Sequence, residues 1–177
     1  MKLIAITLLA ALLLAPSSAF AQTRKRSSTQ RPKPGASQTQ AAQNVAQVRT
    51  AGAQRVAEQI KLLTRFIYLL GGVASGIAAV DEAARRNEAT PALVQKNQQS
   101  KVTVKTSIAG FRESLDKLEI DFRNTPELQP YYIKLAGVAA GAATAEEQAA
   151  ANQFEVSGRT LLTVVGRLAD VLVVMRQ

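Results

Sequence analysis

The 177-residue chain contains no cysteine, no histidine and no tryptophan, and these absences exclude several kinds of site. Without cysteine or histidine there is no thiolate or imidazole ligand for a structural zinc ion, an iron–sulfur cluster or a histidine-ligated haem. The chain also cannot form a disulfide, a cysteine nucleophile or a Ser-His-Asp triad. We therefore expect no metal site and no bound cofactor.

Motifs for phosphate binding and catalysis are missing as well. The glycine-rich run at 71–76 has no neighbouring Lys-Ser or Lys-Thr pair, so it is not a P-loop. The acids Glu113 and Asp116 are spaced to pair with Lys117 on an exposed helix face. Glu, Asp, Lys or Tyr alone can catalyse reactions, but no pattern positions such groups here. We therefore expect a protein that is not an enzyme and has no catalytic residues.

The first 21 residues are typical of a secretory signal peptide. Lys2 supplies the positive start, residues 3–15 are uncharged and mostly apolar, and Ala19-Phe20-Ala21 places small residues at both positions that a signal peptidase reads. The apolar run is shorter than the roughly 20 residues that span a membrane. We expect cleavage after Ala21 and export to the periplasm or exterior of a bacterium; an uncleaved anchor is the alternative.

Residues 22–40 are predicted to form a basic, disordered arm. They include no aliphatic side chain larger than alanine, so they cannot bury enough apolar surface to offset the entropy lost on ordering. They carry five of the chain's 22 cations and none of its 13 acids. The candidate residues for contact with a polyanion are Arg24, Lys25, Arg26, Arg31 and Lys33.

Two functions are open for this arm. Its cations could contact an anionic surface, either lipid headgroups or polysaccharide, and salt would weaken that contact. No aromatic residue is interleaved with the cations, which argues against specific recognition of nucleic acid. The alternative is a soluble spacer between the signal peptide and the domain that follows.

From residue 41 onward, apolar residues recur at spacings of three and four, which is the period of an amphipathic helix. Almost no stretch has the alternation of a strand, so the sequence predicts an all-α domain over 41–177. The predicted core residues of its first two helices are Val45, Val48, Gly52, Val56, Ile60, Leu63, Ile67, Leu70, Ala74, Ile77, Val104, Ile108, Phe111, Leu115, Leu118 and Phe122.

Start signals divide this domain into three long helices. Thr90-Pro91 predicts a helix start, with the threonine as N-cap and the proline in the first turn. This second helix is expected to end near Arg123, and a third runs over 131–175. Three long helices with short connections pack as an antiparallel up-down-up bundle. If the glycine-rich points at 71–76 and 137–144 break their helices, the same pattern gives four or five helices.

The predicted core face of the third helix keeps one phase throughout, which favours a single long helix. Thr144 and Glu147 match a capping box, so a division at this point is the alternative. Glu147 is the one acid on that face, and a capping role would explain it. The face consists of Ile133, Gly137, Ala140, Thr144, Glu147, Ala151, Phe154, Gly158, Leu161, Val165, Leu168, Leu172 and Met175.

Residues 72–87 and 137–152 resemble each other, with eight of 16 positions identical at an offset of 65. Small residues four apart on one helix face let two helices approach closely. Each segment has two such glycines, which predicts a helix-packing seam inside the bundle or between subunits; a flexible hinge is the alternative. The seam residues are Gly72, Gly76, Gly137 and Gly141.

Together these features predict an exported, non-enzymatic helical protein that acts as a structural or interaction module. We expect it to associate with itself or to bind another envelope component through helix–helix contact. A membrane-active or membrane-peripheral protein and a polyanion binder are the alternatives. The uncharged stretch between Arg65 and Asp81 gives about 22 Å of helix, less than the ~30 Å of a hydrocarbon core, which argues against transmembrane insertion.

Overall fold

The computed structural model describes the backbone of residues 34–177 and the side chains of residues 39–177. The predicted signal peptide and the cations Arg24, Lys25, Arg26, Arg31 and Lys33 lie outside the described residues. Over the described part the protein has helices and no strands, so the expected all-α fold is confirmed. The helices are α1 (Pro34–Arg85), α2 (Pro91–Asn124), α3 (Gln129–Leu135), α4 (Val138–Ala150) and α5 (Phe154–Met175).

The expectation of three long helices is wrong for the third. The segment predicted as one helix over 131–175 is divided into α3, α4 and α5. Among the described residues there are four helices of 13 residues or more, and α3 has only seven. Of the two glycine-rich points, 71–76 leaves α1 continuous, whereas the chain turns at Ala136-Gly137. α1 also begins at Pro34, inside the segment predicted as the arm.

Each helix buries one face in a shared core. α1 packs on α2 and α5, α2 packs on α4, and α4 packs on α5. The start of α2 is as predicted, because Thr90 accepts a hydrogen bond from the Leu93 N–H at 3.3 Å. Of the predicted core of the first two helices, Val45 is 47% exposed and lies outside it. The buried apolar side chains of these helices all belong to the predicted core and are Val56, Leu63, Leu70, Ala74, Ile77, Val104, Ile108, Leu115, Leu118 and Phe122.

α4 buries a different face from the predicted one. Ala140, Thr144 and Glu147 are exposed, and Thr144 lies inside α4, where its hydroxyl donates to the Ala140 carbonyl at 3.2 Å. The capping box is therefore not a helix start. α4 is preceded by Gly137, which has φ +93°, and is followed by the turn at 151–153. Because the helix is interrupted at both points, the period of the neighbouring segments does not continue into α4. The buried residues of α4 are Val138, Ala142, Ala145 and Ala149.

The two similar segments end in the same backbone conformation. Asn87 and Asn152 occupy equivalent positions and have φ of 58° and 62°, a left-handed conformation that asparagine tolerates. In both, the N–H of the next residue donates to the carbonyl five residues back at 2.8 Å, as in a Schellman motif. Each asparagine thus ends one helix and turns the chain into the next, from α1 to α2 and from α4 to α5.

Candidate interaction surface

The uncharged stretch of α1, residues 66–80, has only one covered side. Leu70, Ala74 and Ile77 are buried, between 3% and 5% exposed. The opposite side faces solvent without a charged residue, whereas the outer face of a helix in a soluble protein ordinarily carries charges. α1 contains an 18-residue window that is long and apolar enough to cross a membrane, and only 22% of this window is buried.

We call the exposed side of this stretch the α1 apolar surface. Its aliphatic side chains are between 40% and 56% exposed. Its glycines face open space, because nothing lies within 4 Å of the position that an added Cβ would take. The α1 apolar surface consists of Leu69, Gly72, Val73 and Gly76.

The four glycines of the predicted seam have three different surroundings. Gly72 and Gly76 lie on the open α1 apolar surface. Gly141 faces α5, where an added Cβ would lie 2.8 Å from Cγ2 of Val164. Gly137 precedes α4 with a φ that favours glycine. The structure does not bring the two glycine pairs together, and a seam at Gly72 and Gly76 would require a partner from outside the described chain.

Two grooves extend the apolar surface toward the neighbouring helices. The groove between α1 and α2 has a volume of about 400 Å³ and is lined by Phe66, Leu69 and Val73, among others. Three hydroxyl groups of α2 in this groove donate to carbonyls of their own helix, so they offer few donors to a partner. The groove between α1 and α5, of about 310 Å³, includes Gly71 and the exposed Leu162.

Charged side chains lie at both ends of the surface. At its amino end Lys61 pairs with Glu58 at 3.8 Å, while Arg65 makes no ion pair with any residue that the structure describes. At its carboxyl end Glu82 pairs with Arg85. Exposed pairs of this kind contribute about 0–1 kcal/mol. Charged residues therefore bound the α1 apolar surface at both ends.

A polar cluster lies between α1 and α2 that the sequence pattern does not predict. Asn97 is only 7% exposed, and its amide donates to Asp81 at 2.8 Å and to the Ile77 carbonyl at 3.4 Å. Lys101 donates to the same Asp81 oxygen at 2.7 Å. The sequence marks Asn97 only as a poor core residue, since the period does not reveal its hydrogen-bond partners. These groups satisfy one another, so the cluster fixes how α1 and α2 pair and offers no reactive group.

Glu119 is a second residue whose role the sequence did not reveal. It lies on α2, and one of its carboxylate oxygens accepts hydrogen bonds from the N–H groups of Gly137 and Ala139 at 3.0 and 2.8 Å. The first N–H groups of a helix have no partner within that helix, and a carboxylate there also interacts favourably with the helix dipole. Glu119 therefore caps α4 from a neighbouring helix.

Metal-binding groups and known relatives indicate no further functional site in the part of the chain that the structure describes. Within the described residues, acidic side chains do not gather in groups of three or more that could hold a metal ion. Comparison of the chain with protein-family models, curated proteins and solved structures found no match. Among the features described, the α1 apolar surface is the one that indicates a function.

Proposed function

We propose that this protein is an exported, non-enzymatic helical module that binds a helical partner through the α1 apolar surface. The partner is either a second copy or another protein of the cell envelope. The observation that supports this proposal is the exposed, uncharged side of α1, with two glycines that face open space.

An exposed apolar surface of this kind favours association because covering it removes apolar area from water. Each square ångström covered contributes about 25 cal/mol, and Leu69 and Val73 are each at least 40% exposed. Gly72 and Gly76 add no side chain, so the backbone of a second helix can come close at this point. Contiguous exposed apolar surfaces commonly mark interaction sites.

A membrane-peripheral function is the second candidate, and Tyr68 favours it. Its side chain is 84% exposed, beside Leu69 and near the cations Lys61 and Arg65. Tyrosine and basic residues are common where proteins meet lipid headgroups. Binding to lipid, however, depends on bulky apolar side chains entering the bilayer, and much of the outer side of α1 is glycine, alanine and serine. We therefore favour a helical partner.

A variant of Gly76 tests the proposed surface. Gly76→Leu places a bulky side chain where a partner helix would lie, in space that is open in the folded chain. Gly110 on α2 also faces open space, so Gly110→Leu is the matched control. We expect the first variant, and not the second, to lose self-association in light scattering or capture of an envelope protein. The proposal fails if wild type and both variants behave alike in both assays.

Liposome flotation tests the membrane alternative. With anionic lipid at low salt, we expect processed protein that lacks the basic segment 24–33 to stay in the soluble fraction. Flotation that Tyr68→Ser and Leu69→Ser abolish would favour the peripheral function instead.

The sequence leaves two functions open for the arm, contact with a polyanion and a soluble spacer, and a deletion distinguishes them. Deletion of residues 24–33 should abolish binding to heparin and leave helicity unchanged, since the core lies in α1 to α5. If heparin binding survives the deletion, the arm acts only as a spacer.

Mass spectrometry of the exported protein tests the predicted cleavage after Ala21 and should give a chain that begins at Gln22.

A further inference from the structure

We propose that the groove between α1 and α2 binds one straight-chain fatty acid, with its carboxylate beside Lys96 and its alkyl chain along α1. The groove has a volume of about 400 Å³ and is open to solvent along its side, so a flexible chain can enter it. Such a site goes beyond the proposed function, although Leu69 and Val73 belong both to the groove and to the α1 apolar surface.

The walls of the groove suit an alkyl chain. On the α1 side they are formed by Phe66, Leu69 and Val73, among others. On the α2 side three hydroxyl groups donate to carbonyls four residues earlier in their own helix, at 2.9 to 3.1 Å. An alkyl chain forms no hydrogen bonds, so it loses nothing against donors that are already used, whereas a sugar or a peptide would leave polar groups unpaired. The three hydroxyl groups are those of Ser100, Thr103 and Ser107.

The charge of the groove determines which end of the ligand lies where. Among the described residues that line it, only Lys96 is charged, and its ammonium makes no ion pair with any residue that the structure describes. Asn97 contacts the Ile77 carbonyl, and Phe111 packs on Phe66, so α1 and α2 run antiparallel. Lys96 therefore lies at the Val73 end of the groove, and the alkyl chain extends from there toward Phe66.

The length of the groove sets the length of the ligand. From Lys96 to Ser107 the helix rises about 16 Å, at ~1.5 Å per residue. A staggered carbon chain with bonds of about 1.5 Å advances about 1.25 Å per bond, so roughly 12 carbons fill this length. A single carboxylate matches the single cation, whereas the second chain of a phospholipid would remain in water. Dodecanoate is therefore the probe of choice.

Isothermal titration calorimetry of the processed protein tests the length of the site, with each fatty acid kept below the concentration at which it forms micelles. We expect saturable binding of one dodecanoate per chain. Covering a CH₂ group tightens binding by up to about fourfold, so octanoate should bind at least about tenfold more weakly. Tetradecanoate should gain less than about twofold, because its last carbons extend past the groove. Binding of several molecules per chain, or an affinity that rises equally with every added carbon, would overturn the inference.

A charge variant tests the position of the carboxylate. Lys96→Gln should weaken binding of dodecanoate by about threefold, as expected for an exposed ion pair, and should tighten binding of dodecylammonium, which has the same chain and the opposite charge. Lys117→Gln removes another exposed cation of α2 that lies outside the groove and should change neither. The cations of segment 24–33 are the same in both variants and cancel in the comparison. If the two variants bind both probes alike, Lys96 does not hold the carboxylate.

A second pair of variants tests the apolar wall. Leu69→Asp places a carboxylate in the groove, whereas Leu62→Asp places one on the same helix outside it, and both leucines are about half exposed, so both variants should fold. We expect the first variant to lose at least about tenfold in affinity for dodecanoate and the second to lose less than about twofold. Equal losses, or no binding by the wild type, would overturn the inference. The proposed function has its own readout, self-association or capture in the Gly76→Leu variant, and would stand if only dodecanoate binding failed.

Discussion

Replacing Gly76 with alanine should stabilise the folded protein. Glycine inside a helix costs about 1 kcal/mol relative to alanine, because the unfolded chain loses more conformational freedom at glycine. An added methyl at Gly76 meets nothing within 4 Å. We therefore expect Gly76→Ala to raise the free energy of unfolding by about 1 kcal/mol, which for a domain of this size raises Tm by about 3 °C.

The same substitution at Gly141 should have the opposite effect. The new methyl would lie 2.8 Å from Cγ2 of Val164, a distance that forces α4 and α5 apart or moves the valine. Overpacking of this kind costs about 1–3 kcal/mol, which offsets or exceeds the gain from helix propensity. At Gly137 the backbone φ of +93° strains any residue with a Cβ. Gly141→Ala and Gly137→Ala are therefore expected to give no stabilisation or a loss of up to about 2 kcal/mol.

Urea denaturation followed by far-ultraviolet circular dichroism measures all three variants. Dilute protein should be used, so that association through α1 does not add to the stability of the wild type. The order expected is Gly76→Ala above wild type, and both other variants at or below it. If Gly141→Ala were stabilised as much as Gly76→Ala, the close packing of α4 on α5 would be wrong. If Gly76→Ala were destabilised, the α1 apolar surface would not be open in the isolated chain.

Three further substitutions test the interior by the same denaturation measurement. Phe122→Ala removes a fully buried ring, so we expect a loss of about 3–5 kcal/mol, and a loss below 1 kcal/mol would contradict its place in the core. Asn97→Ala removes the amide that donates to Asp81 and to the Ile77 carbonyl, while Lys101 still donates to Asp81, so it should cost about 1 kcal/mol. Glu119→Ala removes the cap of α4 and should cost about 1 kcal/mol, whereas the exposed Glu113→Ala should change stability little.

The start of α2 and the buried faces of the first two helices could be predicted because each depends on neighbouring residues. The pair Thr90-Pro91 contains both the cap and the residue that suits a first turn. The spacing of three and four then identifies the inward side of α2 through Val104 and Phe122. Both features depend on residues that are close in the sequence, so a sequence pattern can predict them.

The division of the third helix could not be predicted by extending its period. Asn152 ends α4 with a left-handed φ, and Gly137 begins it with another. Both residues also fit inside a helix at a modest cost, so sequence alone does not decide between a turn and continuation. The partner that fixes one of these ends, Glu119, lies 18 residues before Gly137 on another helix.

The sequence also could not predict that one side of residues 66–80 is exposed. Residues 66–80 are apolar or small on every side, a pattern that fits a helix covered all round as well as one covered on one side. Only the packing of α2 and α5 shows that Leu70 and Ile77 are buried while Leu69 and Gly72 are not. Gly72 and Gly76 of the predicted glycine seam lie on this open side, and the seam itself stays a prediction.

Thiol labelling of single-cysteine variants measures most directly whether α1 has an open side that a partner covers. Leu69→Cys places the thiol on the α1 apolar surface, and Ala74→Cys places it on the buried side, where the alanine is 5% exposed. We expect rapid labelling at position 69 in dilute protein, slower labelling there as the protein concentration rises, and protection at position 74 throughout. Equal protection at both positions in dilute protein, or labelling at position 69 that neither concentration nor an envelope extract slows, would contradict the proposed surface.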